Sequence, residues 1–407
     1  MSVVNLFSGV FCHAEEVVHG VASRLGYPVV RDEDLISQAA ANGGIKAGAL
    51  RRAMFGRPSI FNQFTHDKER AISRLKAAMA ELLETEEMIF LGFGSLLIPR
   101  SIAHVLDVCL IAGIKGRAVR AARELGLSEK DALDQVHRDD ETALRWVEYL
   151  HQTEPWEPKL YDMRLSMDQL SVDEAVEQIS DNASSPILQP SEASRQAVKD
   201  FTLAAQVEEV LSAKGHHPQD AEVSASQGKV SISINKKVMM LGRLSEELEE
   251  LGRAVPGVSS VEVAPGPAYY QADIYRQADF QLPSKVLLVD DEREFVETLS
   301  ERLMLREIGS AVVYDGTEAL RMAAEEEPEV IVLDLKMPGI DGVEVLKRLK
   351  QDHPEMEVII LTGHGSADDR ATCMQLGAFA YLEKPVDIDQ LSEVMQEAYT
   401  KIRASQR

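Results

Sequence analysis

The sequence predicts an α/β protein of three domains. Three observations lead to this prediction. Strand-like and helical patterns alternate in the N-terminal half, short apolar runs end in acidic residues in the C-terminal third, and two other stretches are rich in proline and small polar residues. The two stretches, 182–194 and 264–284, have the composition of linkers. We therefore expect domains at 1–182, 195–265 and 284–407.

Composition and charge limit the classes of function. The chain has 407 residues, of which 45% are hydrophobic and 27% charged, as in ordinary globular proteins. Its formal net charge of −24 disfavours nucleic acid and anionic membrane surfaces, because both are negatively charged. Three cysteines far apart in the sequence fit a reducing compartment, and no apolar stretch reaches the roughly 18 residues that span a bilayer. We expect a cytoplasmic protein that neither binds nucleic acid nor inserts into a membrane.

The first domain is predicted to be a parallel sheet covered by helices. Apolar runs at 3–7, 88–91 and 105–111 are its expected strands. A loop that contains Ser8, Gly9, Cys12 and His13 follows the first run.

Three stretches of this domain are similar to the cytidylate-kinase-like family of P-loop proteins. They are LGYPVVRDEDLI at 25–36, GRAVRAARELGLSEKDA at 116–132 and WEPKLYDMRLSMDQLSVDEAVEQI at 156–179. The resemblance implies a P-loop-kinase-like fold with a nucleotide pocket, in which Ser8, Gly9, Cys12 and His13 of the loop after the first strand are the candidate binding residues. A loop that binds phosphate needs glycines and a lysine, yet residues 8–16 contain one glycine, no lysine and no arginine. Because Glu15 and Glu16 of this loop also repel phosphate, we expect a degenerate domain without kinase activity.

The middle domain is predicted to have the element order αββαβ. A helix at 201–214 precedes a hairpin around Gln227-Gly228, and a second helix and a last strand follow. The text GKVSISI and VPGVSSVEV resembles a small BON-type domain. No catalytic set of residues is evident here, so we expect an interaction or spacer module.

The third domain has the strongest pattern. Apolar runs at 285–289, 330–333, 358–361 and 378–382 alternate with helical patterns, which predicts a (βα)5 doubly wound parallel sheet. The carboxyl ends of such strands meet at one edge, so the polar residues that follow the runs should lie together. These residues are Asp290, Asp291, Asp334, Thr362 and Lys384.

Three carboxylates at one edge would repel one another unless cations lie among them. Magnesium suits this position, because it binds a few carboxylates together with water and phosphate oxygens, and Lys384 adds a second positive charge. The arrangement predicts Asp334 as the nucleophile that receives a phosphoryl group. Asp290 and Asp291 would hold Mg²⁺ with Asp334. Thr362 and Lys384 would then bind phosphoryl oxygens.

The third domain resembles the receiver domain of two-component response regulators. The matching text is VDDE at 289–292, LDLKMPGIDG at 333–342, LTGHG at 361–365 and YLEKP at 381–385. The resemblance implies a flavodoxin-like receiver, in which the Lys336 backbone carbonyl is a metal ligand and Tyr381 is the switch residue. It also implies a cis peptide bond between Lys384 and Pro385.

Together these features predict a response regulator of a phosphorelay. A sensor histidine kinase or phosphotransfer protein would phosphorylate Asp334, and the output would pass through the upstream domains or a partner protein. No helix-turn-helix pattern follows the receiver. Catalysis would be limited to phosphoryl acceptance and slow self-dephosphorylation. Two alternatives remain open: a nucleotide kinase regulated by the receiver, which the missing loop lysine disfavours, and a docking scaffold, which the complete receiver motif disfavours.

Overall fold

The computed structural model describes residues 2–405 except 42–43, 58, 236–239, 268, 270–282, 284, 305, 307 and 364. The chain forms two compact units. One comprises Met1–Pro58 and Asp67–Tyr275, and the other comprises Ser59–His66 and Arg276–Arg407. The first unit therefore holds most of the first two predicted domains, and the division into three domains stays a prediction. Most of the second predicted linker, 264–284, lies outside the described residues.

The first unit contains a five-stranded parallel sheet with the order β2-β3-β1-β4-β5. Its strands are β1 (Val3–Ser8), β2 (Val29–Arg31), β3 (Ile89–Leu91), β4 (Val105–Ile111) and β5 (Met163–Ser166). The sequence patterns predict β1, β3 and β4 but miss β2 and β5. Both missed strands lie at sheet edges and contain only three or four residues with partly exposed side chains, so they form no continuous apolar run.

Helices cover both faces of this sheet. In this unit, up to residue 183, they are α1 (Ala14–Leu25), α2 (Asp32–Ala41), α3 (Ala47–Phe55), α5 (Asp67–Leu83), α6 (Ile114–Leu125), α7 (Glu129–His151) and α8 (Val172–Ala183). Helix α4 (Asn62–Thr65) belongs to the second unit. Side chains of β1 alternate between two cores, as a strand period of two requires. Val4 and Leu6 pack in the core that includes α1 and α8, whereas Val3 and Phe7 pack in the core that includes α2 and α5.

The middle region has the predicted order αββαβ. Its elements are α9 (Glu192–Ala213), β6 (Ala221–Ser226), β7 (Lys229–Ile234), α10 (Leu241–Arg253) and β8 (Ser260–Pro265). Strand β7 lies in the centre of the three-stranded sheet, antiparallel to β6 and parallel to β8.

Helix α9 corrects the predicted linker at 182–194. The helix begins at Glu192 rather than at residue 201, because Ser191 and Ser194 form a capping box that fixes its first turn. Its first half contributes Val198 and Phe201 to the core of the N-terminal sheet, and its second half contributes Val207 to the core of the middle sheet. One continuous helix is therefore shared by both cores.

The second unit contains a five-stranded parallel sheet with the order β10-β9-β11-β12-β13, and this confirms the predicted doubly wound fold. Its strands are β9 (Val286–Val289), β10 (Ser310–Val313), β11 (Val330–Leu333), β12 (Glu357–Thr362) and β13 (Ala380–Glu383). Its helices after residue 290 are α11 (Arg293–Met304), α12 (Gly316–Glu326), α13 (Gly342–Asp352), α14 (Ala367–Gln375) and α15 (Ile388–Ser405). No helix in the described part of the chain is both long enough and apolar enough to cross a lipid bilayer.

Candidate functional site

The carboxyl edge of the second sheet brings together most of the predicted site residues. Asp290 follows β9 directly, Asp334 follows β11, Thr362 ends β12 and Lys384 follows β13. Asp290, Asp334 and Thr362 are buried, with exposed fractions of 4%, 5% and 1%. Buried polar residues at the ends of otherwise apolar strands are expensive unless they bind something, so this edge is the leading candidate for a site.

Lys384 joins the carboxylates of this edge. Its Nζ lies 2.7 Å from Asp290 Oδ2, 3.0 Å from Asp334 Oδ2 and 3.0 Å from Glu292 Oε1. Burial alone would lower the pKa of Lys384, but its hydrogen bonds to the three carboxylates outweigh burial and raise that pKa. The ammonium is therefore charged at physiological pH.

The negative charge of this edge exceeds its positive charge. One ligand oxygen from each of Asp290, Glu292 and Asp334 lies within 4.8 Å of the others. A single lysine leaves a formal charge of −2 on the four groups. Burial raises the pKa of Asp290, although Lys384 partly offsets this effect. Clustered carboxylate oxygens with excess negative charge fit a hard divalent cation such as Mg²⁺.

The acidic residues that follow Asp290 do not point the same way. The backbone N–H of Glu292 donates to Asp290 Oδ1 at 3.0 Å, and the Glu292 carboxylate contacts Lys384 Nζ. Asp291 is exposed and lies outside the carboxylate group. It borders a neighbouring cavity of about 490 Å³ that Lys336 and Asp341 also line. The sequence pattern predicts Asp291 and not Glu292 as a member of this group, because spacing alone does not show which way a loop turns.

Lys336 and Tyr381 lie close to this edge. The Lys336 backbone N–H donates to Asp334 Oδ1 at 3.3 Å, so the loop after β11 is tied to the predicted phosphoacceptor. Tyr381 lies in β13 beside Ile360 of β12, and its side chain is buried. The peptide bond between Lys384 and Pro385 is cis, as the resemblance implies.

A second cavity lies at the carboxyl ends of β1, β2 and β3. Its volume is about 750 Å³, and three of the candidate loop residues, Ser8, Gly9 and His13, line it. Cys12 does not line the cavity. Its side chain is buried, and burial raises the pKa of its thiol to about 11, which leaves the nucleophilic thiolate scarce.

The lining of this cavity does not suit a nucleotide phosphate. Five acidic residues and two arginines line it: Glu15, Glu16, Asp32, Glu33, Glu124, Arg31 and Arg120. Both arginines have acidic partners, since Arg31 lies 2.7 Å from Glu15 and Arg120 lies 3.6 Å from Glu124. A phosphate would meet net negative charge and would compete with carboxylates for each guanidinium.

Arg117 binds the loop that follows β1. Arg117, Arg120 and Arg123 have the spacing of one helix face, which fits a solvated face or a site for an anionic ligand, but Arg117 is 5% exposed. Its guanidinium donates to the Val10 carbonyl at 2.8 Å and binds both carboxylate oxygens of Asp140, at 3.0 and 2.6 Å. This buried arginine therefore holds the loop together and is already paired.

Two family models match the chain. The response regulator receiver domain matches residues 286–396, and the cytidylate kinase-like family matches residues 3–169. The DNA-binding transcriptional regulator NtrC of Escherichia coli K12 is 35% identical over 122 residues, which are 30% of this chain and 26% of NtrC. Response regulator MprA of Mycolicibacterium vanbaalenii is 34% identical over 110 residues, which are 27% of this chain and 48% of MprA.

A solved response regulator receiver domain protein from Clostridium thermocellum is also similar. It is 34% identical, with a TM-score of 0.29, and the match covers 30% of this chain and 97% of that chain. The chain thus spans about a quarter of the length of NtrC and about half of the length of MprA.

Proposed function

Because residues 286–396 form a response regulator receiver domain, we propose that this protein accepts a phosphoryl group on Asp334. A receiver domain implies a histidine kinase or another phosphodonor as partner. The observation that carries the proposal is the convergence of Asp290 and Asp334 on Lys384 at one sheet edge. The output, the partners and the roles of the upstream domains are part of the proposal.

Asp334 is the proposed nucleophile. One of its carboxylate oxygens attacks the phosphorus of the donor, and an acyl phosphate forms. With a phosphohistidine donor, the bond from phosphorus to nitrogen breaks and the imidazole takes up a proton. The backbone N–H of Lys336 donates to Asp334 Oδ1, and Lys384 contacts Oδ2, so both oxygens are oriented before the reaction.

Charge compensation decides whether this step is possible. Magnesium, when bound, would neutralise the phosphoryl oxygens during transfer. Asp290, Glu292 and Asp334 are the carboxylates that would hold it, while Asp291 and the Lys336 carbonyl stay predicted ligands. Lys384 would exchange its contact with Asp334 for a phosphoryl oxygen, and Thr362 would hydrogen-bond another. Tyr381 would transmit the change as the switch residue.

The N-terminal domain is proposed to act without turnover. Its match to the cytidylate kinase-like family supports the ancestry of the fold, whereas the acidic cavity lining argues against a bound nucleotide phosphate. The receiver-regulated nucleotide kinase is therefore the weaker alternative. Calorimetric titration of the full chain with ATP and with cytidine monophosphate, together with an assay of ATP turnover, distinguishes the inactive domain from the kinase. We expect no binding, and binding with turnover would establish the kinase.

The experiment that tests the proposed function is phosphorylation by acetyl phosphate in the presence of Mg²⁺. Intact-mass spectrometry of the full chain should show one added phosphoryl group, which hydroxylamine removes because it is an acyl phosphate. The Asp334→Asn variant should show none, and Asp341→Asn, in the same loop but outside the carboxylate group, should behave as wild type. Labelling that persists in Asp334→Asn would refute the assignment.

A further inference from the structure

In the second unit, the Tyr381 side chain occupies the space that a side chain at position 365 would need. A Cβ atom built on Gly365 would lie 1.6 Å from Tyr381 Oη, 2.9 Å from its Cζ and 3.1 Å from Thr362 Cγ2. Atoms cannot approach so closely, so no side chain fits at position 365 while Tyr381 keeps its place.

The backbone conformation at position 365 does not by itself require glycine. Gly365 is absent from the residues with positive φ, so an L-amino acid could adopt its backbone angles. Gly363, two residues earlier, offers a direct contrast. A Cβ there would lie 3.8 Å from the nearest atoms of Lys384, which is ordinary van der Waals contact. Of these two glycines, Gly365 is the one whose side chain would collide with a neighbour.

Tyr381 is buried without a compensating hydrogen bond. Its residue is 7% exposed, and its hydroxyl has no hydrogen-bond partner within the described part of the chain. Burying such a hydroxyl costs free energy, so close packing rather than hydrogen bonding holds the side chain inward. The Arg370 guanidinium lies 5.8 Å from the ring centroid and adds only a distant contact.

The position of this contact links two parts of the second unit. Thr362 ends β12 at the edge that carries Asp334, and Ser366 begins α14 with a capping box to Asp369. Gly365 lies between them. Among the described side chains of α14, Cys373 is the buried one, so this helix packs against the core over a small area. A displacement at residue 365 would therefore reach both the site edge and the start of α14.

We propose that Gly365 is a positioning residue that permits the buried placement of Tyr381. A side chain at 365 forces the tyrosine out of the core. This inference concerns how the chain places its tyrosine and does not depend on whether Asp334 is phosphorylated.

The test compares Gly365→Ala with Gly363→Ala in the full chain. Tyr381 is nitrated by tetranitromethane, and peptide mass spectrometry follows the rate. We expect the rate to rise at least about tenfold in Gly365→Ala, because the ring becomes exposed, and to change less than about twofold in Gly363→Ala. A folded Gly365→Ala protein with the wild-type nitration rate would overturn the proposal.

A second variant covers the case in which Gly365→Ala does not fold. Tyr381→Leu removes both the hydroxyl and Cζ, the two atoms that make the short contacts. The double variant Gly365→Ala/Tyr381→Leu should therefore regain the melting temperature of Tyr381→Leu alone to within a few degrees. Failure of the double variant to fold would place the role of Gly365 elsewhere and refute the proposal. Acetyl phosphate labelling of Asp334 is a separate readout, so the two claims can fail independently.

Discussion

The two parallel sheets of this protein both carry acidic residues at their carboxyl edges, but they balance the charge differently. In the first sheet acidic side chains have separate cationic partners: Glu15 binds Arg31, and Glu33 accepts hydrogen bonds from Nε and Nη2 of Arg51. In the second sheet Asp290, Glu292 and Asp334 share Lys384. Acidic side chains are thus paired separately at the first edge, whereas three carboxylates share one ammonium at the second.

This difference separates a structural use of acidic residues from a chemical one. Asp32, at the first edge, accepts hydrogen bonds from the backbone N–H groups of Phe93 and Gly94, both at 2.8 Å, and so fixes the turn after β3. Asp334, at the second edge, has one oxygen near a backbone N–H and the other near the Lys384 ammonium. The fold places acids at both edges, and the second edge is where we propose that they bind a cation and a phosphoryl group.

The largest expected effect comes from removing the shared ammonium. Lys384→Met should lower the free energy of opening of β9 and β11 by about 3 kcal/mol in EDTA, because two buried carboxylates lose their counter-charge. Hydrogen exchange of the peptides that cover these strands measures it. Lys336→Met is the matched control, since Lys336 is exposed beside the same edge, and it should change little. Equal destabilisation in both variants would remove the contrast between the two edges.

A smaller effect is expected at the first edge, as a function of pH. Burial raises the pKa of Asp32 to about 6, and its two backbone hydrogen bonds only partly oppose this. The folded state therefore binds a proton that the unfolded state, with a pKa near 4, has released. The resulting stability is complete below about pH 4 and is lost as the pH rises through about 6.

Urea unfolding measures this loss through tryptophan fluorescence, because both tryptophans, Trp146 and Trp156, lie in the first unit. From pH 4.5 to 6.5, wild type should lose about 2 kcal/mol of unfolding free energy relative to Asp32→Asn. Glu33→Gln, which changes an exposed residue paired with Arg51, should follow wild type. A pH-independent difference between wild type and Asp32→Asn would contradict the buried, structural role of Asp32.

The sequence predicts the second edge better than the first for a physical reason. Four of the five strands of the second sheet are continuous apolar runs, so their ends, and with them Asp290, Asp334, Thr362 and Lys384, follow from the pattern. Glu292 does not, because its approach to Lys384 depends on the turn that its own N–H makes with Asp290. Local conformation of this kind is set by hydrogen bonds that spacing does not encode.

The first sheet departs from its sequence pattern where tertiary contacts decide. Arg117 has the spacing of a solvated helix face but is buried against Asp140, which lies 23 residues further along the chain. The serine- and proline-rich stretch before α9 resembles a linker, yet Ser191 caps a helix that two cores share. Composition describes these segments correctly as polar, but the partners that order them are distant in sequence.

Calorimetric titration of the full chain with MgCl₂ tests the contrast between the two edges most directly. We predict one Mg²⁺ site in wild type, weakened at least about tenfold in Asp290→Asn because that variant loses a buried carboxylate ligand, and unchanged in Asp32→Asn. Wild-type affinity in Asp290→Asn, or loss of binding in Asp32→Asn, would show that the carboxylates of the second edge do not bind the cation.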